Sequence, residues 1–141
     1  MTDCIFCKII RGEIPCTKIY ENHKALAFLD INPINNGHAL VMPKEHHETL
    51  LDTPDEVLAE TVKLAKRVAK AVKEGTGADG VNLGQNNFRA AGQLVFHLHF
   101  HVIPRFEGDG FHHWQGHKYA SAQQVQDVAK KIREKLETQN E

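Results

Sequence analysis

The stretch Val95–Arg105, read as VFHLHFHVIPR, places a histidine at every second position from His97 through His99 to His101. Large apolar side chains occupy the alternate positions: Phe96, Leu98, Phe100 and Val102. A period of two predicts a half-buried strand, because successive side chains of a strand point to opposite faces. We therefore expect three imidazoles in a row on one face and a core-forming apolar row on the other, with Pro104 ending the run.

Three imidazoles in register serve little structural purpose, and two functional interpretations remain open. One is a metal site, because imidazole is the commonest metal ligand and spaced histidine pairs on strands bind zinc or iron. The other is nucleophilic and acid–base chemistry on a phosphate or acyl group, in which the central histidine attacks and its neighbours orient it. The residues outside the stretch must decide between them.

The composition is typical of a one-domain globular protein: 141 residues, 41% of them hydrophobic and 25% charged. The formal net charge of −1, from 17 basic and 18 acidic residues, argues against broad binding of nucleic acid or anionic membranes. No apolar run is long enough for a membrane span. The beginning, MTDCIFCKII, lacks the pattern of a signal peptide, so we expect a cytoplasmic protein without a disulfide framework.

Cys4 and Cys7 form a Cys-x-x-Cys pair near the beginning of the chain. The pair is compatible with half of a zinc site, with a redox pair or with coincidence. A redox pair normally opens a helix after a strand, and no strand precedes this one. Zinc would require two more ligands, which histidines elsewhere could supply. Cys16 has no partner in the sequence, and we interpret it as structural.

The first half of the chain predicts three short strands followed by a long helix. The strands are expected at Lys18–Glu21, Ala25–Leu29 and His38–Met42. Asp30 ends the second strand. It is either a turn former or a carboxylate that accepts from two ribose hydroxyls, and composition alone favours the turn. The helix is expected to begin with Thr53 as N-cap and Pro54 in the first position, and to run to about Lys73, with Gly75 and Gly77 ending it.

The loop Gln85–Gln93, read as QNNFRAAGQ, leads directly into the histidine stretch after a fourth expected strand, Gly80–Gly84. Gly92 permits a close backbone approach that a β-carbon would block. Amides and glycine beside three imidazoles are suited to holding an oxyanion with backbone N–H groups. A last helix, over about 121–137, is predicted with Ser121 and Gln124 as its cap. The residues between the stretch and this helix that receive no role are His112, His113, Trp114 and His117.

The segment GQLVFHLHFHVIPR resembles the histidine-triad (HIT) nucleotide-binding family, whose signature is His-x-His-x-His followed by apolar residues. CIFCKIIRGEIP and LAFLDINPINNGHALVMPKEH also look like bacterial and archaeal members, so that the likeness covers residues 3–117. The resemblance implies an α+β fold, an antiparallel sheet of about five strands with two main helices, usually paired as a homodimer. We expect one HIT domain over residues 1–141, with its core at about 3–117.

The resemblance further implies binding of purine nucleotides and attack on the α-phosphate. His99 would be the nucleophile, forming a nucleotidyl-imidazole that water cleaves to a nucleoside monophosphate such as AMP. His101 would bind the phosphate and assist the leaving group, and His38 would support the triad. The residues that match nucleotide contacts in the family are Asp30, Ile31, Asn86, Gly92, Gln93, Leu94, Val95, His99 and His101. Asp30 thereby changes from a turn former to an expected ribose ligand.

A structural zinc site is implied by the same likeness, at Cys4, Cys7, His46 and His97. Two thiolates and two imidazoles suit tetrahedral zinc with no open position. On this interpretation zinc supports the first triad histidine, and no catalytic metal is required. Leu94 departs from the family pattern, since many relatives have Ser or Thr there and leucine cannot donate a hydrogen bond.

We therefore expect a purine nucleoside phosphoramidase or related nucleotidyl hydrolase. A hydrolase of dinucleoside polyphosphates would use the same residues. A nucleotide-binding interaction protein with weak turnover is the alternative from another class. A metal-dependent oxygenase or hydrolase with the triad as ligands is disfavoured, because no carboxylate pattern accompanies the histidines.

Overall fold

The computed structural model describes residues 3–139 of the chain. Its strands are β1 (Lys18–Glu21), β2 (Ala25–Leu29), β3 (Ala39–Pro43), β4 (Gly80–Gly84) and β5 (Phe100–Arg105). Its α-helices are α1 (Ile5–Ile10), α2 (Asp55–Thr76) and α3 (Ala122–Gln139). The strands form one antiparallel sheet in the order β1-β2-β3-β5-β4. This confirms the expected α+β fold with five antiparallel strands and two main helices, α2 and α3.

Each face of the sheet buries its own apolar cluster. One cluster lies under α2 and contains small side chains of β2 and β3 as well as the apolar row of the histidine stretch. Its buried members are Ala25, Ala27, Ala39, Val41, Leu64, Ala65, Val68, Val72, Leu98, Phe100 and Val102. The other cluster lies under α1 and consists of Phe6, Leu26, Phe28, Leu40 and Met42. The alternation of β5 thus directs its apolar row to the α2 face, which leaves the three histidines on the α1 face.

The histidine stretch is shorter as a strand than its alternation predicts. Strand pairing begins at Phe100, opposite Val41 of β3, and residues 95–99 pair with no strand. The Leu98 N–H instead donates to the carbonyl oxygen of His47 at 2.7 Å. The expected beginning at Val95 was therefore wrong: residues 95–99 form no ladder, and the Leu98 N–H bonds to the loop after β3 instead of to a strand.

Helix α2 begins later than expected and ends at a glycine. The N-cap position is Pro54, with no side-chain cap, while the Thr53 hydroxyl donates to the Thr49 carbonyl at 2.6 Å. The interpretation of Thr53 as N-cap was therefore wrong, since its oxygen is held by the preceding turn. Gly77 ends the helix with φ 71°, a left-handed conformation that glycine adopts without a steric penalty, whereas Gly75 lies inside the helix.

The chain divides into two compact units after Asp109, and α3 belongs to the second. The predicted cap of α3 is confirmed: the Gln124 N–H donates to the Ser121 hydroxyl at 3.1 Å, and the Ala120 N–H donates to the Gln124 side chain at 2.7 Å. Helix α3 begins at Ala122 and ends at Gln139, within two residues of the expected bounds. Within residues 3–139, no helix has the length and apolarity that crossing a membrane requires.

Candidate active site and metal centre

A cavity of about 530 Å³ opens on the α1 face of the sheet. Its polar wall is formed by the end of β2, the loop before the histidine stretch, and two triad histidines. Its apolar wall comes from α1, the segment after α1 and the inner strands, with Ile5, Ile9, Pro15, Phe28 and Leu40 among the lining residues. A cavity with an apolar wall and a few convergent polar groups is the usual form of a small-molecule site.

His99 has its ring orientation and tautomer fixed by a backbone acceptor. Its Nδ1–H donates to the carbonyl oxygen of His97 at 2.7 Å, so that Nε2 carries the lone pair. Burial lowers the pKa of His99 from its ordinary value, which keeps the ring neutral near pH 7. His99 therefore presents an unprotonated, nucleophilic nitrogen in the cavity wall.

His101 is oriented by a chain of hydrogen bonds through His38. The Ile34 N–H donates to His38 Nδ1 at 3.1 Å, so that neutral His38 carries its proton on Nε2. His38 Nε2 lies 3.0 Å from His101 Nδ1 and donates to it. His101 must then carry its own proton on Nε2, where it is a hydrogen-bond donor. Burial lowers the pKa of both rings, which favours this neutral chain.

Asp30 lies at the end of β2, beside this chain. Its Oδ2 is 3.7 Å from His38 Nε2, and its Oδ1 accepts from the Asn32 N–H at 2.8 Å. The Asp30 carboxylate and the imidazoles of His38 and His101 are also close enough to bind one metal ion. The bond to Asn32 is the turn that the composition favoured, and the lone pairs that remain are available to hydroxyl donors in the cavity. The turn and ligand interpretations of Asp30 are thus compatible.

The loop Gln85–Gln93 forms the rim of the cavity beside His99. Asn86, Gly92, Gln93, Leu94 and Val95 all line it, together with Asp30, Ile31, His99 and His101. The structure therefore brings together all nine residues that the resemblance associates with nucleotide contacts. Their individual roles remain predictions. Ile31 and Leu94 are 91% and 86% exposed, which places both apolar side chains where a ligand could cover them.

A separate cluster gathers the two thiols, His46 and the first triad histidine. Cys4 Sγ and Cys7 Sγ lie 3.5 and 3.6 Å from His97 Nδ1. His46 Nδ1 lies 3.3 Å from Cys7 Sγ and 3.1 Å from His97 Nδ1. Zn–S and Zn–N bonds of about 2.3 and 2.0 Å imply tetrahedral edges of roughly 3.3–3.8 Å, close to these separations. The four donors therefore fit a tetrahedral zinc ion.

His97 is oriented as a metal ligand and not as a member of the cavity. Its Nε2–H donates to the Pro43 carbonyl oxygen at 2.8 Å, which leaves the Nδ1 lone pair facing the thiols. The ring is fully buried, and this desolvation lowers its pKa to about 4. Such a backbone acceptor on the far nitrogen is the support that metal-bound histidines commonly have. The two interpretations of the triad are thus divided between its members, with His97 facing the thiols and His99 the cavity.

Helix α1 is the element of the site that sequence reasoning missed. Cys4 acts as its N-cap, with Sγ accepting from the Cys7 N–H at 3.4 Å. The helix presents Phe6 to the triad, with its ring centroid 5.0 Å from that of His99 and perpendicular to it. The apolar spacing in IFCKII was the available signal. The helix therefore connects the cluster of Cys4, Cys7, His46 and His97 to the wall of the cavity.

A pH-dependent contribution to stability is expected from His38. Its pKa is lowered in the fold, so its stabilising contribution is present above the ordinary pKa of about 6.5 and is lost as pH falls toward the lowered value. In His38→Gln the amide can accept from Ile34 and donate to His101 without titrating. The stability advantage of the wild type over this variant should therefore shrink between pH 8 and pH 5. Urea unfolding across this range measures it, with exposed His23→Gln as the control, and a constant difference would contradict it.

Comparison with known proteins gives matches over most of the chain. The sequence profile of the family described as HIT domain matches residues 11–108. An adenosine 5′-monophosphoramidase of Schizosaccharomyces pombe is 50% identical over 102 residues, 72% of this chain and 74% of that protein. The crystal structure of a HIT family member from Bacillus subtilis superposes with a TM-score of 0.85 at 40% identity, over 94% of this chain and 96% of that chain. A zinc-bound histidine-triad protein from Mycobacterium smegmatis does so with a TM-score of 0.75 at 42% identity, over 83% and 85%.

Proposed function

The chain belongs to the HIT domain family, and on that premise we propose that it hydrolyses purine nucleoside phosphoramidates or related nucleotidyl compounds. The product would be a nucleoside monophosphate such as AMP. The observation that carries the proposal is the unprotonated Nε2 of His99 in the wall of a cavity that also contains Asp30 and an amide-rich loop. The monophosphoramidase activity named for the Schizosaccharomyces pombe relative supports the choice of substrate.

The reaction proceeds through a nucleotidyl-histidine intermediate. His99 Nε2 forms a bond to the α-phosphorus while the bond from phosphorus to the leaving nitrogen breaks. The leaving nitrogen accepts a hydrogen bond from His101 Nε2–H and takes up a proton from solvent, so that it departs as the neutral amine. Water then attacks phosphorus, displaces His99 and releases one proton to solvent. One water is consumed, and AMP and the amine are released. Division into two displacements lowers the barrier of each.

The remaining cavity residues bind the nucleotide. The free lone pairs of the Asp30 carboxylate accept from the ribose hydroxyls, and exposed Ile31 covers the nucleoside. Asn86 and the backbone N–H groups near Leu94 and Val95 hold the phosphate oxygens, where preformed donors stabilise developing charge. The apolar wall from α1 and β2 accommodates the base.

Cys4, Cys7, His46 and His97 would hold a structural zinc ion, which the fit of the donor set supports. Zinc there supplies a cross-link among α1, the loop after β3 and the histidine stretch, and the cavity residues supply the chemistry. We also propose a homodimer in the cytoplasm. Strand β4 supports the homodimer, because it is an edge of the sheet and its Leu83 is 49% exposed.

The proposal is tested by measuring AMP release from adenosine 5′-phosphoramidate and from a diadenosine polyphosphate, beside equilibrium binding of AMP. Faster release from the phosphoramidate supports it. Faster release from the diadenosine compound would identify a dinucleoside polyphosphate hydrolase. Binding of AMP with no release from either compound would identify a nucleotide-binding interaction protein.

Replacing Leu94 by serine is expected to increase turnover. Leu94 lines the rim of the cavity and is 86% exposed, and its side chain cannot donate a hydrogen bond to the substrate. One added hydrogen bond in the transition state, worth about 0.5–1.5 kcal/mol, corresponds to roughly a two- to tenfold rise in kcat. Steady-state kinetics with adenosine 5′-phosphoramidate measure it. Leu51→Ser, at another exposed leucine outside the cavity, is the matched control. An unchanged or lower kcat in Leu94→Ser would contradict the expectation.

A further inference from the structure

Phe88, in the loop before the histidine stretch, has a strained backbone. Its φ and ψ are 71° and 159°, and within residues 3–139 it is the only residue other than glycine with a positive φ. This region of φ and ψ is occupied almost exclusively by glycine, because a β-carbon clashes there. The ring is 54% exposed, so its burial does not compensate for the strain. Something else in the loop must hold this conformation.

Gln93 holds Phe88 from both sides. The Phe88 N–H donates to the side-chain oxygen of Gln93 at 2.7 Å, and the Gln93 backbone N–H donates to the Phe88 carbonyl at 3.1 Å. The Gln93 side-chain nitrogen donates to the carbonyl oxygens of Glu48 and Val95, at 2.6 and 3.1 Å. Gln93 is only 2% exposed. Both N–H bonds and the oxygen of its amide are therefore already engaged inside the protein.

The backbone N–H groups of the next two residues, unlike the Gln93 amide, are free to bind a ligand. Within the part of the chain that the structure describes, the N–H groups of Leu94 and Val95 donate to no protein acceptor, and both residues line the cavity. They are available to phosphate oxygens, whereas Gln93 could reach a phosphate only by breaking its present bonds. Such a break would leave the buried Gln93 amide and the Phe88 N–H without their present partners, which is unfavourable.

We propose that Gln93 is a positioning residue that does not contact the nucleotide. Its amide holds the strained Phe88 backbone, and this clamp keeps the loop in the shape that presents the Leu94 and Val95 N–H groups to the phosphate. The inference deepens the proposed function and rests on it, because the phosphate is that of the proposed substrate. It also reassigns Gln93 from the expected nucleotide contacts.

A rescue experiment distinguishes a clamp from a phosphate ligand. Gln93→Met keeps the volume and removes the hydrogen bonds. Adding Phe88→Gly removes the strain, so that the loop no longer needs the clamp. Adding Phe88→Ala instead removes the ring but keeps the β-carbon, and it is the matched control for the glycine variant. Gln123→Met, on exposed α3, controls for the substitution itself.

The readouts are kcat and KM for adenosine 5′-phosphoramidate and amide hydrogen exchange of residues 86–95. We expect Gln93→Met to lower kcat about tenfold or more, with less effect on KM, and to speed exchange, because misplaced donors stabilise the transition state less. Phe88→Gly should restore most of kcat and of the protection, and Phe88→Ala should restore neither. The inference would be overturned if Gln93→Met and both double variants lost kcat equally without faster exchange. It would also be overturned if Phe88→Ala restored kcat as well as Phe88→Gly does.

Two further measurements separate this inference from the proposed function. If the wild type releases no AMP, the proposed function fails, while hydrogen exchange in the same variants still tests the clamp. If Gln93→Met does not fold, a crystal structure of the wild type with AMP tests the inference directly. The side-chain nitrogen of Gln93 should remain within hydrogen-bond distance of the Glu48 and Val95 carbonyl oxygens. A Gln93 amide that turns to the phosphate would overturn it.

Discussion

His99→Ala is expected to lower turnover of adenosine 5′-phosphoramidate by about 10⁴-fold or more, the loss typical of removing an enzyme's nucleophile. The physical reason is the fixed tautomer of His99, whose Nδ1–H is held by the His97 carbonyl while Nε2 is free to attack. Methyl cannot replace that lone pair. AMP binding should persist, because the carboxylate of Asp30 and the loop before the stretch are unchanged.

Intact mass after a rapid, acid-free quench measures the intermediate, and AMP release from the same samples measures turnover. The wild type should gain the mass of one adenylate, and His99→Ala should gain none. His23→Ala is the matched control, since His23 lies on an exposed turn away from the cavity. Because fast hydrolysis can hide the adduct, the ratio of the two kcat values decides. A His99→Ala variant within tenfold of the wild type would show that another group attacks phosphorus.

The alternation in the histidine stretch predicted the faces correctly but the length wrongly. Leu98, Phe100 and Val102 are all buried under α2, as a period of two requires. Strand pairing at residues 95–99 could not be deduced, because pairing depends on where the neighbouring strands end. Strand β4 ends at Gly84, opposite His101, and the pairing with β3 ends at Val41, opposite Phe100, although β3 itself continues to Pro43. Local pattern therefore specified the direction of the side chains, and tertiary structure specified the ladder.

A zinc site could be suspected from the sequence, but its four ligands could not be identified from the residues alone. Cys4 and Cys7 alone left zinc, redox chemistry and coincidence open, and only the family resemblance selected His46 and His97. The structure places the four donors together because α1 and its cap residue, which carry the two thiols, lie near the end of β3. That helix was missed because it has only six residues and a thiol as its cap, where Ser, Thr, Asp or Asn is usual.

The Phe88–Gln93 clamp left no readable signal in the sequence. A positive φ is normally marked by glycine, and here the chain has a phenylalanine. Gln93 was assigned to the nucleotide contacts by the family resemblance alone. The distinction between a ligand and a clamp depends on distances to Phe88, Glu48 and Val95 that only the folded chain provides. Functional loops are where such strain is expected to persist.

Removing zinc is expected to lower the melting temperature by about 10 °C or more, because metal-binding free energy at such sites becomes folding free energy. Burial raises the pKa of the Cys7 thiol, so that the metal-free protein buries a protonated thiol where a thiolate would bind zinc. Cys7→Ala should bind no zinc and melt at a similarly lowered temperature. Cys16→Ser should retain one zinc per chain, since Cys16 lies outside the cluster. Elemental analysis and calorimetry measure both quantities.

Loss of zinc should also reduce turnover at temperatures where the metal-free protein is still folded. The His97 ring donates to the Pro43 carbonyl and would also be held by bound zinc. The His97 carbonyl oxygen fixes the tautomer of His99, two residues further along. Helix α1 adds a second connection, because Phe6 packs perpendicular to the His99 ring. Lower kcat with little change in AMP affinity would show that the cluster positions the nucleophile. An unchanged melting temperature after verified metal removal would contradict the first expectation, and an unchanged kcat would contradict the second. The second result would mean that Pro43 and the chain itself hold His97 and His99 in place without the metal.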